Sequence, residues 1–290
     1  MQIRSILCPL DFSEASRAAL RAAARFARQF GAAVHVVFVE DPLLAQVEHG
    51  ASACPRLLDE LSQFIAGTVD LDLPAEPKLH VVTGEPGPEI VALAKREGVD
   101  LIVMGAHGLT GVRKAFFGST TARVLKRATV PLLVVPASTD VDQARNLEGL
   151  GSILVLSDFG PAASTAAALA AGFAHAIGAR LVLVHVMPHV SMPLSWRFRA
   201  EAAIEEHAAQ VHQQMCHATA LLEGYGPVES VIVQGNIAEC VADLARSRRA
   251  GLIVMGLERT ESGPRPGSTA YPVICSAPVP VLAVPATHLI

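Results

Sequence analysis

Residues Leu101–Thr120 read LIVMGAHGLTGVRKAFFGST. The run Leu101-Ile102-Val103-Met104 is short, apolar and β-branched, the mark of a strand buried on both faces. Gly105 follows, then two residues and Gly108, then nine residues and Gly118-Ser119-Thr120, and the chain turns helical in TARVLKRAT. Glycine accepts positive φ and lets another group come close to the backbone. Ser119 and Thr120 stand where a helix begins, so their hydroxyls and free amides face a site that favours an anion. A strand, a glycine turn, a loop and a second glycine turn at a helix start is what a phosphate chain requires. Two ordinary turns of an α/β domain would read the same way on glycine alone.

Outward from this stretch the same alternation runs through the N-terminal half. IRSILCPL is a strand leading to Asp11-Phe12-Ser13, and Ser13 is a helix cap before the alanine-rich Glu14–Gln29. Gly31 closes that helix, and AAVHVVFVED carries a second strand ending near Val39. Residues 51–70 have helical spacing, with Leu57, Leu58, Leu61 and Ile65 on one side. Lys78–Thr83 is a third strand, Glu89–Glu97 a helix, Asp100–Met104 the fourth strand, Ser119–Ala128 a helix and Val130–Pro136 the fifth strand. Strands alternating with helices predict a parallel, doubly wound α/β sheet.

The pattern then repeats. ILCPLDFS (Ile6–Ser13) returns as ILVLSDFG (Ile153–Gly160), and GAAVHVVFVE (Gly31–Glu40) as GARLVLVHVM (Gly178–Met187). IVMG occurs at Ile102–Gly105 and Ile253–Gly256, and VPLLVVP is answered by VPVLAVP at Val279–Pro285. Four matched blocks in register predict two copies of one domain, residues 1–138 and 150–290, joined by a polar linker at about Ala137–Gly151.

Composition narrows the function. At 51% hydrophobic and 17% charged, the chain has material for full cores and is not of the disordered class. A net charge of -4 and only 4% aromatic residues speak against a nucleic-acid partner. Five scattered cysteines without a CxxC pair read as buried small hydrophobes in a reducing compartment, so a cytoplasmic setting is expected. The apolar run of MQIRSILCPLDFS is shorter than a secretory leader needs. Ala166–Val186, the most membrane-like segment, is broken by His175, Gly178 and Arg180, so no span is expected. GxxxxGK[ST], a strand-linked GxGxxG and GxSxG are all missing, which disfavours P-loop, dinucleotide and serine-hydrolase chemistry.

The duplicated pattern, Asp11 after the first strand, Gly105-x2-Gly108-x9-Gly118-Ser119-Thr120 and the closing VVP together resemble the universal stress protein family in its tandem form, over essentially the whole chain. The resemblance implies two tandem five-stranded, Rossmann-like sheets of strand order 3-2-1-4-5. The switch point then lies between the first and fourth strands, where open α/β sheets bind ligands. It further implies an ATP site with Mg or Mn carried on the phosphates. Pro9, Leu10 and Asp11 would line the nucleoside, Val39 would meet the adenine edge, Met104 would pack near base or sugar, and Gly105, Gly108, Gly118, Ser119 and Thr120 would hold phosphates. Other roles stay open: Asp11 as a helix cap, Met104 as core, and Arg113 and Lys114, which could meet phosphate charge, and His107, which could touch phosphate or metal, as a solvated loop face.

The second copy departs from the motif. Asp158, Val186 and Gly256 match Asp11, Val39 and Gly105, and Gly267-Ser268-Thr269 survives. Leu156 replaces Pro9, Arg259 replaces Gly108, and the intervening loop is two residues shorter, with Glu258 and Glu261 near the expected phosphates. Like charge opposes an anion there, so weak or no ATP binding is expected in this half. Arg259 contacting phosphate after a refolding of that loop is the alternative. The functional expectation is an ATP-dependent regulator in stress adaptation, with at most slow hydrolysis. The rivals are a slow metal-dependent ATPase and a scaffold whose second site holds a non-nucleotide ligand or a partner segment. The apolar fifth strands would be sheet edges, which pair when exposed. In the resembled family they meet across a dimer, so pairing within one chain is expected, with a homodimer open.

Overall fold

The computed structural model describes residues 3–43, 53–68, 71–106, 118–136, 150–188, 194–260, 263–265 and 269–286. The N-terminal half runs β1 (Ser5–Leu10), α1 (Glu14–Phe30), β2 (Ala33–Glu40), α2 (Ala53–Ala66), β3 (Lys78–Thr83), α3 (Pro86–Arg96), β4 (Leu101–Gly105), α4 (Ser119–Leu125) and β5 (Leu132–Val135). The C-terminal half runs β6 (Ser152–Leu156), α5 (Pro161–Ile177), β7 (Arg180–Met187), α6 (Leu194–Ala220), β8 (Val228–Gln234), α7 (Ile237–Ser247), β9 (Ala250–Thr260), β10 (Gly263–Arg265), α8 (Ala270–Ser276) and β11 (Val281–Pro285). The expected linker falls outside the described residues apart from its last two.

Sequence sets these elements locally. In α1 the buried Ala19, Leu20, Ala23, Phe26 and Ala27 recur at helical spacing. Its first turn is capped by Ser13, whose hydroxyl accepts from the Ser16 amide at 3.1 Å, and its last by Gly31 at φ 66°. Helix α3 starts at Pro86 rather than at Glu89 as the sequence suggests, because a proline at the first helical position gives up no needed N–H. Strand β1 is apolar and buried on both faces, as a central parallel strand must be. Burial also pushes the Cys8 thiol on β1 up, which keeps it neutral and unreactive.

Each half has the strand order 3-2-1-4-5, and the two sheets are not separate. The strand path is β3-β2-β1-β4-β5-β11-β9-β6-β7-β8, with β10 attached to β9. All neighbours along this path are parallel except at the central seam. There β5 and β11 pair antiparallel, with Val281 opposite Val134, Leu282 opposite Leu133 and Ala283 opposite Leu132. Two apolar edges are thereby removed at once. One core lies on the α1/α5 face and continues across the seam, where Phe26 stacks on Phe173 at 5.5 Å. The other lies beneath α3, α4, α7 and α8. No helix among the described residues is long and apolar enough to cross a membrane.

Candidate functional site

In the strand order, β1 and β4 are neighbours whose following helices lie on opposite faces, so their carboxyl ends form a switch point. The ladder between them is short. The Asp100 amide donates to the Ser5 carbonyl at 2.8 Å, which turns the backbone groups of Ser5, and by alternation Leu7 and Pro9, toward β4. Proline has no N–H to donate at that position. The β1–β4 pairing consists of Ile6 with Leu101 and Leu7 with Ile102, and stops there. In the C-terminal half the residue matching Pro9 is Leu156, and the β6–β9 ladder continues through Val155 with Val254 and Leu156 with Met255. The N-terminal switch point is therefore unzipped for two pairs that its counterpart keeps.

At the exit of β1, Asp11 Oδ1 accepts from the Ser13 amide at 3.1 Å and from the Ser13 hydroxyl at 2.5 Å. Between them Phe12 sits at φ 61°, a costly conformation for a bulky residue. Its ring is held by Phe38 at 5.0 Å and Phe64 at 5.4 Å, and the Arg17 guanidinium lies 4.1 Å over Phe64. The second half repeats this bend. Phe159 has φ 63°, Asp158 Oδ1 accepts from the Gly160 amide at 2.9 Å, and the Phe159 ring stacks on His185 at 4.5 Å. Ser13 thus links Asp11 to the first turn of α1. Ser13→Ala is expected to destabilise the protein by about 1–2 kcal/mol, read from the denaturation midpoint in urea; an unchanged midpoint would contradict the relay.

At the exit of β4, a Cβ on Gly105 would lie 2.7 Å from the Ala15 carbonyl oxygen and 2.8 Å from its carbon. One on Gly256 would collide with the carbonyl of Ala162 and come within 2.7 Å of the Ala163 nitrogen. Both strand-end glycines are therefore imposed by the close approach of the first helix of each half, with or without a ligand. The Gly105 carbonyl accepts from the Thr121 hydroxyl at 3.0 Å, and the Gly118 amide donates to the Ala106 carbonyl at 3.0 Å. These two bonds bring both ends of the glycine segment together beside β4. Gly118 is the N-cap of α4, so Ser119 and Thr120 carry first-turn amides that a helix cannot satisfy itself. Gly108, His107, Arg113 and Lys114 lie outside the described residues.

Of the remaining expected site residues, Pro9 and Leu10 are buried on β1, and Asp11 is half-buried beside them. Met104 is buried in the core beneath α3 and α4. Val39, near the end of β2, packs partly buried against the same core. Thr121 and Phe12 were not singled out by sequence. The threonine follows the glycine motif by a single residue, and nothing in a phenylalanine code announces a left-handed backbone.

The C-terminal loop differs from the expected shorter loop. Strand β9 runs straight on from Gly256 to Thr260 and doubles back, with Thr260 opposite Gly263, Arg259 opposite Pro264 and Glu258 opposite Arg265. Leu257 is buried and Glu258 exposed, as successive residues of a strand are. Helix α8 begins at Ala270 with Thr269 as its cap, whereas α4 begins at Ser119, two positions earlier in the motif. Ala270 stands where Thr121 stands, and the hydroxyl tie to the strand-end carbonyl goes with it. Glu261, Gly267 and Ser268 lie outside the described residues.

The universal stress protein family profile matches residues 2–136 and again 150–285. The chain belongs to the universal stress protein family. A universal stress protein from Archaeoglobus fulgidus has the same fold, with a TM-score of 0.67 at 21% identity, covering 99% of this chain and 100% of that one. Universal stress protein MJ0531 of Methanocaldococcus jannaschii is 35% identical over 140 residues, 46% of this chain and 81% of its own. Universal stress protein MJ0577 of the same organism is 47% identical over 55 residues, 19% of this chain and 34% of its own. Both halves of this chain are thus universal stress protein repeats, but they differ where the family motif lies.

Proposed function

We propose that the N-terminal half binds ATP at its switch point and that this universal stress protein acts as a nucleotide-dependent regulator in a stress response. The observation that carries the reading is the β1–β4 ladder stopped short by Pro9. A nucleoside at those strand ends needs backbone groups not already committed to the ladder, and this half alone lacks the last two pairs there. Pro9, Leu10 and Asp11 would border the nucleoside, with Asp11 accepting from ribose hydroxyls. Val39 and Met104 would lie toward the base, and Gly105, Gly108, Gly118, Ser119 and Thr120 toward the phosphates. The unsatisfied first-turn amides of α4 fit a phosphate oxygen. A divalent Mg or Mn ion would be held by phosphate oxygens, which need few protein ligands. Asp11 Oδ1 already takes two donors from Ser13, which suits an orienting acceptor better than a base that must activate water. We therefore read the site as a binding site. Nucleotide seated at both ends of the Gly105–Gly118 segment would alter the surface that a partner meets.

The C-terminal half, with its zipped ladder and its hairpin, would leave ATP without a seat. The test is the nucleotide carried by the freshly purified chain, set beside Gly118→Val. Gly118 has φ -57°, open to any residue, so valine keeps the backbone and fills ligand space. ATP affinity is expected to fall by about tenfold or more with the melting temperature little changed. Unaltered affinity would overturn the assignment.

A further inference from the structure

We propose that His35, His80 and Glu97 form a transition-metal site of the zinc class, at the end of the N-terminal sheet opposite the switch point. His35 lies near the start of β2 and His80 on β3, on one face, since His35 pairs with Lys78 and Val37 with His80. Glu97 is the C-cap of α3, where the chain returns to enter β4. Three elements that are distant in sequence therefore converge at the amino ends of the strands.

The geometry has the shape of a ligand set. His35 Nδ1 and His80 Nε2 are 3.1 Å apart, and Glu97 Oε2 is 3.9 Å from His35 Nδ1. The three donor atoms lie within 4.8 Å of one another, the one such group among the described residues. Zinc bonds of about 2.0–2.2 Å place tetrahedral donors roughly 3.3–3.5 Å apart, so small side-chain rotations bring this set onto a metal. The imidazole planes are within 8° with centroids 5.3 Å apart, and the two nitrogens are at hydrogen-bond distance, one ring's N–H donating to the other. Metal binding needs a lone pair on each, so the donating ring's proton moves to its other nitrogen while the accepting ring already presents its lone pair. The Glu97 oxygens are divided in the same sense, Oε1 toward Arg96 Nε at 3.3 Å and Oε2 toward the histidines. His35 is 3% exposed, so any metal there is shielded from solvent on one side, with the fourth position left for water. Two imidazoles and a carboxylate favour zinc-like ions over hard Mg or Ca.

The second half supplies an internal control. By strand register, Val182 stands at the place of His35 and Val231 at that of His80, and the α7 C-cap is Arg248 in place of Glu97. Arg248 instead pairs with Glu229 at 2.7 Å. The same fold thus fills this position with two valines, and packing alone asks for no imidazole. A buried polar pair costs free energy relative to valine unless its bonds are met, and all three donors are present in one half and absent together in the other.

The test is zinc titration of the metal-stripped full chain, without nucleotide, against a chromophoric chelator, with cobalt substitution to report tetrahedral coordination by its visible absorption. One tight equivalent per chain is expected. His35→Val/His80→Val, which copies the C-terminal half, should abolish it, and Glu97→Gln should weaken it about tenfold or more. A wild-type chain that binds zinc no more tightly than the double variant, or an equivalent that survives both changes, would overturn the site. If the double variant fails to fold by circular dichroism, Glu97→Gln decides, and unchanged affinity refutes the proposal.

Discussion

Gly256→Val is expected to cost about 3 kcal/mol or more and to lower the melting temperature of the nucleotide-free protein by roughly 6–12 °C. The added Cβ would overlap the Ala162 carbonyl and the Ala163 amide, backbone atoms at the start of α5 that no rotamer change can move aside. Gly105→Val meets the Ala15 backbone at 2.7 Å and should cost about 2–3 kcal/mol. The pair separates two roles that the motif fuses. If the strand-end glycine served a phosphate alone, the C-terminal variant would be silent, because the segment beyond Gly256 is a hairpin. Thermal unfolding of the two variants without nucleotide decides, and melting temperatures equal to wild type would contradict the packing role.

Leu133→Asp should be about as damaging, at about 4 kcal/mol or more, through a different cause. Leu133 is fully buried at the seam, opposite Leu282. A carboxylate there lies between two covered faces, with no cation opposite it in the ladder. It must either stay protonated or part the strands, and parting exposes two apolar edges that then pair elsewhere. The expected readout is a loss of the single cooperative unfolding transition together with concentration-dependent association in sedimentation. A variant that melts as wild type does and stays monodisperse would show that the halves do not depend on the seam.

Much of the fold was legible. Ser13 and Gly31 bounded α1 by capping chemistry, and the four repeated blocks announced two halves before any strand was paired. The fifth strands read as edges because they are apolar and bounded by proline, and their expected pairing within one chain is the β5–β11 seam that joins the two halves into one continuous sheet. The site was legible only as residue types. Pro9 reads as a strand end, and its effect on the β1–β4 ladder depends on which way its nitrogen points, a property of register. Glu258 and Arg259 read as a charged loop, while their backbone continues β9 and pairs with β10. The glycine at the strand end reads as a ligand residue, and its packing role is hidden because the helix that crowds it lies some ninety positions away in the chain. His35, His80 and Glu97 share no spacing, so the topology alone brings them together.

The most direct test of the unequal halves is calorimetric titration of the nucleotide-free full chain with ATP and Mg. One site per chain, lost in Gly118→Val and retained when Arg259 in the C-terminal hairpin is replaced by alanine, is the expected result. Two equivalent sites, or a single site that Gly118→Val leaves intact, would contradict the assignment of nucleotide binding to the N-terminal half.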